Sequence, residues 1–222
     1  HVAREGSFLN IDSYRYDLRG VERIIVIGAG KASARMAVAI EDILGDLISD
    51  GLIIVKYGHG ESLRKIKVRE AGHPVPDESG MDGAGELLAL VEGARQSDLV
   101  LCLISGGGSS LIPLPAAGID LVSKQEITQA LLRSGATIHQ VNSVRKHISK
   151  VKGGRLAQAA APARVISLLL SDVIGDDLDV IASGPTVPDT TTFKTALDVL
   201  KQCDLTGHTP ESVLHHLEAG AR

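Results

Sequence analysis

The chain is poor in several residue classes, and each shortage excludes a kind of function. Aromatic residues make up only 2% of the 222 residues, and tryptophan is absent. The chain therefore lacks the stacking platforms on which single-stranded nucleic acids bind. The formal net charge is −4, which provides no basic field that would attract nucleic acid or a membrane surface. We therefore expect neither nucleic acid nor a membrane as a partner.

Cysteines and long apolar runs are equally scarce. The two cysteines, Cys102 and Cys203, form neither a disulfide framework nor paired metal-binding spacing. Cys102 lies in an apolar run and is expected to be buried. Every apolar run is far shorter than a membrane span, and these features together favour the cytoplasm. Because the sequence starts at His1 without Met and ends just after a predicted helix, we interpret it as a fragment of a longer protein.

Apolar runs alternate with segments of helical spacing along most of the chain. The runs suit strands that are buried on both faces of a parallel sheet, and they lie at 23–27, 52–55, 66–68, 99–104 and 164–170. The helical spacing covers 31–47, 80–96, 123–133, 137–150, 153–161, 193–202 and 211–219. This alternation predicts an α/β fold with a mostly parallel sheet.

A glycine-rich loop follows the first predicted strand. Gly28 and Gly30 allow the backbone to approach a ligand closely, the following helix offers free N–H groups, and Lys31 adds a full positive charge. Ser33 stands where a dinucleotide fingerprint has its third glycine, and the Ser or Thr that follows the lysine of a Walker loop is missing. The loop therefore favours a small anionic ligand, with a simple tight turn as the alternative.

Three more segments contain residues that are candidates for binding a ligand or for catalysis. Residues 105–110, with three consecutive glycines, suit an anion cradle of backbone N–H groups or a flexible connection. Acidic residues at 172–177 suit Mg²⁺ or a general base, although acidic turns also arise for local reasons. Asn142, Arg145, Lys146 and Ser149 share one face of a predicted helix, which could bind an anion or face solvent. A lone histidine such as His73, in the stiff segment 72–77, is more often structural than catalytic.

Together these motifs resemble one known family. The segments 28–33, 72–77, 105–111, 142–156 and 171–186 resemble, in the same order, the N-terminal domain of type II glycerate kinases, the DUF4147 family whose C-terminal part is called the MOFRL domain. The resemblance extends from about residue 20 to about residue 205. It implies a Rossmann-like three-layer sandwich and an ATP- and Mg²⁺-dependent kinase acting on D-glycerate to give 2-phosphoglycerate. It also implies that 1–222 is an N-terminal domain whose partner, its own C-terminal domain, is absent here.

Within that resemblance we assign roles to individual residues. Lys31 is expected to stabilise the transferred phosphoryl group, Arg145 to bind the carboxylate of glycerate, and Asp172 to accept a proton or bind Mg²⁺ together with Asp176. The substrate-binding candidates are His73, Asn142, Lys146 and Lys150. The ATP-binding candidates are Gly28, Gly30, Ser33, Ser105, Gly106, Gly107, Gly108, Ser109 and Ser110. The sequence does not distinguish which glycine loop holds ATP and which holds glycerate.

Two other functions remain open at this stage. An NAD(P)H-dependent hydroxypyruvate reductase would use the first glycine loop for pyrophosphate, but Ser33 breaks the fingerprint. Asp50, the acidic residue at the expected distance for a ribose contact, precedes the second predicted strand instead of following it. A non-catalytic sugar-phosphate-binding module would also use the glycine loops, but it would gain nothing from Asp172 and Asp176. The oligomeric state is equally open, and a homodimer is compatible with the sequence.

Overall fold

The structure is a computed structural model that describes residues 2–171 and 175–222. Its strands are β1 (Val2–Glu5), β2 (Phe8–Ile11), β3 (Tyr14–Asp17), β4 (Arg23–Ala29), β5 (Ile48–Lys56), β6 (Lys67–Ala71), β7 (Asp98–Ser105) and β8 (Arg164–Leu170). Its α-helices are α1 (Ser33–Leu44), α2 (Glu78–Glu92), α3 (Gly108–Leu111), α4 (Leu121–Arg133), α5 (Ile138–His147), α6 (Arg155–Ala159), α7 (Phe193–Gln202) and α8 (Glu211–Gly220). All five predicted strands and all seven predicted helices are present, with boundaries shifted by a few residues.

The centre of the fold is a five-stranded sheet in the order β6-β5-β4-β7-β8. Every neighbouring pair in it is parallel, which confirms the predicted sheet. The chain moves outward from β4 through β5 to β6 and then returns to β7 on the other side of β4. The strand order therefore reverses between β4 and β7. In open α/β sheets, ligands bind at such a switch point, beyond the carboxyl ends of the strands.

Helices cover both faces of this sheet, which confirms the three-layer α/β class. On one face, Ile24, Val26 and Leu101 pack with the apolar side of α1, including Ala37 and Ile40. On the other face, alternate residues of the same strands pack with α2 and α6. Because β7 is covered on both sides, all eight of its residues are buried. This double burial explains why these strands are continuous apolar runs in the sequence.

The helices of the second half form a separate hydrophobic cluster. Ile127 of α4, Val144 of α5, Leu200 of α7 and Leu217 of α8 are all buried in it. Capping side chains define where the helices begin: for example, Asp120 accepts a hydrogen bond from the Ser123 N–H at 2.7 Å, ahead of α4. This cluster packs beside the switch point and so supplies the side chains of α4 and α5 to the site described below.

Residues 2–17 form a small structure that was not predicted from the sequence. Strands β1, β2 and β3 make a small antiparallel sheet, and Leu9 and Ile11 of β2 are buried in the cluster on the α1 side of the large sheet. These strands are only four residues long, which is too short for a clear alternation of apolar and polar residues. Among the described residues, no helix is both long and apolar enough to cross a membrane.

Candidate functional site

Two of the predicted loops meet at the switch point. Residues 28–33 span the end of β4 and the start of α1, and residues 105–110 span the end of β7 and the start of α3. The strands β4 and β7 are neighbours in the sheet. The Lys31 N–H donates to the Gly106 carbonyl at 3.0 Å, and the Ala32 N–H donates to the Ser105 hydroxyl, also at 3.0 Å. The hydroxyl oxygens of Ser33 and Ser105 lie 3.2 Å apart. The two loops are therefore hydrogen-bonded into one unit.

Glycine is required in the first loop because the two backbones approach each other closely. A Cβ atom on Gly30 would lie 2.1 Å from the Ser105 hydroxyl oxygen, and one on Gly28 would lie 2.1 Å from the Leu103 carbonyl oxygen. Ser33 is fully buried and bonded to Ser105. These three predicted ATP-binding residues thus have structural contacts within the protein, which hold Lys31 at the edge of the site.

Gly107 occupies a different position, at the centre of the candidate site. Its φ of +88° is a left-handed conformation that favours glycine. A Cβ atom at this position would lie 2.8 Å from the His73 ring and 3.3 Å from the Lys31 Cε. The structure therefore brings together His73, Lys31 and the triple-glycine loop, which come from three separate motifs of the sequence.

A cavity of about 400 Å³ opens beside Gly107. Its polar wall contains His73, Ser109, Ser110, Lys124 and Arg145. Its apolar wall is formed mainly by prolines and leucines, namely Pro74, Pro76, Pro113, Leu121 and Leu132, together with Val75. A concave site with mostly apolar walls and a few converging polar groups is the usual form of a small-molecule site.

A chain of hydroxyl and amide groups supports the floor of the site. The Ser109 and Ser183 hydroxyl oxygens lie 2.7 Å apart, and the Ser183 hydroxyl donates to Asn142 Oδ1 at 2.9 Å. The Asn142 amide in turn donates to the Val180 carbonyl at 3.5 Å. Asn142 is buried, so the structure gives this predicted substrate-binding residue a place behind the triple-glycine loop, which it supports through Ser183.

The basic residues on and after α5 separate into different environments. Arg145 lines the cavity, and burial lowers its pKa to about 10. Lys146 is buried and ion-paired with Asp179 at 2.8 Å and with Asp189 at 3.5 Å. Lys150 is exposed and lines a second cavity, apart from Arg145. Of the predicted substrate-binding lysines, Lys146 is thus neutralised within the protein and Lys150 lies outside the first cavity.

The acidic loop is only partly described. Asp172 lies outside the described residues, and Asp176 is exposed with a φ of +52°. Beside it, His139, Asp177 and Asp179 each offer a ligand atom, and these atoms all lie within 4.8 Å of one another. Carboxylate oxygens and an imidazole nitrogen are suitable ligands for a divalent cation. His139 was not predicted as a member of such a group because 38 residues separate it from Asp177.

Two buried lysines were not predicted from the sequence as site residues. Lys124 is 5% exposed and lines the cavity, and Lys152 is fully buried just behind it. A signal for Lys124 does exist in the sequence, because it shares the i, i+3, i+7 face of α4 with the buried Ile127 and Leu131. The positive charges of Lys124 and Arg145 at the cavity, with Lys31 beside Gly107, make this site suitable for an anionic ligand.

Known proteins resemble this chain over most of its length. The family described as "Domain of unknown function (DUF4147)" matches residues 1–218. A protein of Pyrococcus horikoshii named glycerate 2-kinase is 49% identical over 212 residues, which cover 96% of this chain and 47% of the relative. An Agrobacterium vitis protein with the provisional name hydroxypyruvate reductase is 49% identical over 180 residues, which cover 81% of this chain and 47% of that protein.

A solved structure shares the whole fold. The crystal structure of a protein from Pyrococcus horikoshii OT3 superimposes with a TM-score of 0.94 at 48% identity, covering 100% of this chain and 50% of that one. The chain therefore spans about half the length of the relatives it matches.

Proposed function

The chain belongs to the DUF4147 family, and from that premise we propose that the complete protein is a glycerate kinase that transfers a phosphoryl group from ATP to D-glycerate, giving 2-phosphoglycerate. Relatives that carry glycerate kinase names at 38–49% identity support the reaction. The chain is then an N-terminal domain, and a C-terminal MOFRL domain would form the opposite wall of the cleft. Both cysteines are free, in keeping with a protein of the cytoplasm.

The observation that carries the proposal is the meeting of Lys31, His73 and Gly107 beside a cavity that also contains Arg145. Phosphoryl transfer requires positioning of the reactants and stabilisation of negative charge more than covalent chemistry by the protein. A lysine beside an N–H-rich glycine loop is suited to the phosphoryl group. An arginine without an ion-pair partner among the described residues is suited to a carboxylate, which it can bind with two hydrogen bonds.

Each residue has a defined task in this proposal. The Lys31 ammonium group stabilises the negative charge of the transferred phosphoryl group, and the N–H groups of 106–109 bind oxyanions of ATP or glycerate. Arg145 orients the glycerate carboxylate, and His73 closes the site above Gly107. Ser33, Ser105 and Asn142 hold the loops in position, since all three are hydrogen-bonded within the protein.

The residues near the acidic loop fit a magnesium ion in their chemistry. Asp172 and Asp176 remain the proposed ligands, and Asp177, Asp179 and His139 offer further ligand atoms that lie within 4.8 Å of one another. When bound, Mg²⁺ would neutralise charge on the phosphates of the nucleotide. Asp172 would alternatively accept the proton of the glycerate hydroxyl group.

A hydroxypyruvate reductase is the second candidate, because some relatives carry that name. The strand order around β4 also matches that of dinucleotide-binding folds. Against this candidate, Asp50 lies near the start of β5, at the end of the sheet opposite the glycine loops. It therefore lies too far from the site to bind a ribose there. A non-catalytic sugar-phosphate-binding module is the remaining alternative.

One pair of assays separates these functions. The purified complete protein is incubated with D-glycerate, ATP and Mg²⁺, and phosphoglycerate and ADP are measured. In parallel, it is incubated with hydroxypyruvate and NADH or NADPH, and nicotinamide absorbance is followed. We expect phosphoglycerate to form only when Mg²⁺ is present, with no change in nicotinamide absorbance. Nicotinamide oxidation without phosphoglycerate would support the reductase, and the absence of both activities would support the binding module.

A further inference from the structure

Three cationic side chains are gathered next to the cavity. Lys124 comes from α4, Arg145 from α5, and Lys152 from the segment between α5 and α6. The Lys124 ammonium group donates to the Ile148 carbonyl at 2.8 Å, and the Lys152 ammonium group donates to the Ile112 carbonyl at 2.8 Å. Backbone carbonyl groups thus hold both ammonium groups in place, and the charges of Lys124 and Arg145 repel that of Lys152.

Within residues 2–171 and 175–222, no carboxylate forms an ion pair with any of these three cations. The nearby Lys146 has the counter-ions that a buried cation usually has, because it is equally buried but is paired with Asp179 and Asp189. Burial of a charge without a counter-ion is costly. Burial, followed by repulsion from the neighbouring cations, accordingly lowers the pKa of Lys124 and Lys152 well below the ordinary value.

The cationic group is placed where a ligand can supply the missing negative charge. Lys124 and Arg145 both line the cavity, together with His73 and Gly107. Lys152 is completely buried, so it can act on a ligand only through its electric field. The Ile112 carbonyl that accepts from Lys152 directly follows α3. This lysine therefore also connects α3, which continues the triple-glycine loop, to the segment between α5 and α6.

We propose that Lys124, Arg145 and Lys152 form one half of an oxyanion-binding site in this cavity, whose other half is a carboxylate or phosphate group of the ligand. Arg145 binds the oxyanion directly, whereas Lys124 and Lys152 are positioning residues whose charges strengthen that binding. The inference rests on the proposed function only for the source of the oxyanion, which is the carboxylate of glycerate or a phosphate of the nucleotide.

The test uses variants that remove the charge but keep a hydrogen-bond donor. Lys124→Gln and Lys152→Gln are made in the complete protein, with Lys201→Gln, an exposed lysine of α7, as the matched control. Affinities for inorganic phosphate, D-glycerate and ATP without Mg²⁺ are measured by calorimetry. We expect each cavity variant to bind one of these anions about tenfold more weakly, a change of about 1.4 kcal/mol. The anion whose affinity falls identifies the source of the oxyanion.

Stability measurements distinguish this role from a structural one. Because the substitutions remove a buried and unpaired charge, we expect the ligand-free variants to unfold at the same temperature as the unaltered protein or at a higher one. A lower unfolding temperature with unchanged affinities for all three anions would overturn the proposal. Unchanged affinities at an unchanged unfolding temperature would overturn it as well.

A second measurement does not depend on the variants folding. Phosphate or D-glycerate is added to the unaltered protein at constant ionic strength, with chloride as the reference anion, and we expect one of them to raise the unfolding temperature. The absence of any rise would contradict the proposal. Charge-dependent anion binding in a protein that does not phosphorylate glycerate would refute the proposed function but leave this inference standing.

Discussion

Lys31 and Gly107 lie on two different loops, yet the Lys31 side chain passes so close to Gly107 that a Cβ atom there would lie 3.3 Å from its Cε. The same Cβ atom would lie only 2.8 Å from the His73 ring. Gly107 therefore keeps open the space in which three motifs of the sequence converge. Its substitution tests whether that convergence is needed for function.

We predict that Gly107→Ala lowers kcat/KM at least about tenfold, because the new methyl group displaces His73 and Lys31. It should also cost about 1–2 kcal/mol of stability, since Gly107 has a φ of +88°. Gly135→Ala is the matched control, because Gly135 has a φ of +77° but a Cβ atom added there would meet nothing within 4 Å. Denaturant unfolding and steady-state kinetics check both variants. Equal losses of activity in the two would contradict the assignment of Gly107 to the site.

The ion pair between Lys146 and Asp179 gives a second prediction. Lys146→Met leaves the carboxylates of Asp179 and Asp189 without their buried partner, and we expect a loss of about 3–5 kcal/mol in the free energy of unfolding. Lys194→Met, which removes an exposed pair with Asp198, should cost less than about 1 kcal/mol. Urea denaturation measures both values. A raised KM for glycerate with unchanged stability would instead show that Lys146 binds substrate.

The third prediction concerns stability in acid. Hydrogen bonds from Arg23 lower the pKa of the buried Asp98 below its ordinary value of 3.8. The folded state therefore binds fewer protons than the unfolded state in this range. The stability that Asp98 contributes is complete above its ordinary pKa and is lost as the pH falls through the lowered folded value.

Asp98→Asn removes the titrating carboxyl group and therefore tests whether Asp98 makes stability depend on pH. We expect the unaltered protein to lose stability more steeply than the variant as the pH is lowered from about 5 to about 2. The free energy of unfolding is measured by urea denaturation at several pH values. Parallel pH profiles for the two proteins would show that Asp98 is not a source of the acid sensitivity.

The parallel sheet was predicted from the sequence, whereas the order of its strands was not. A strand that is buried on both faces of a sheet is a continuous apolar run in the sequence, as β7 is, and such runs made the parallel sheet predictable. The short strands β1 to β3 leave no such signal, because their stability comes from contacts such as that of Leu9 with the large sheet. The order of apolar and polar residues within a short segment does not indicate contacts with residues so far away in the sequence.

The candidate site, like the fold, could be predicted only in part from the sequence. Glycine-rich loops at strand ends could be recognised as functional, since three consecutive glycines are costly without a reason. The separation of Arg145 from Lys146 could not be predicted, because it depends on where Asp179 and Asp189 lie in space. The burial of Lys124 could have been predicted from its helical spacing with Ile127 and Leu131, but its place in the cavity beside Arg145 could not.

The central claim is that Lys31 acts on the transferred phosphoryl group, and Lys31→Ala in the complete protein tests it most directly. ATP-dependent phosphorylation of D-glycerate is measured for this variant and for Lys67→Ala, an exposed lysine of β6. We predict that Lys31→Ala lowers kcat/KM by about 10²-fold or more, because a preorganised charge that stabilises a transition state contributes that much, while Lys67→Ala retains normal activity. A loss of only a few-fold for Lys31→Ala would contradict the claim.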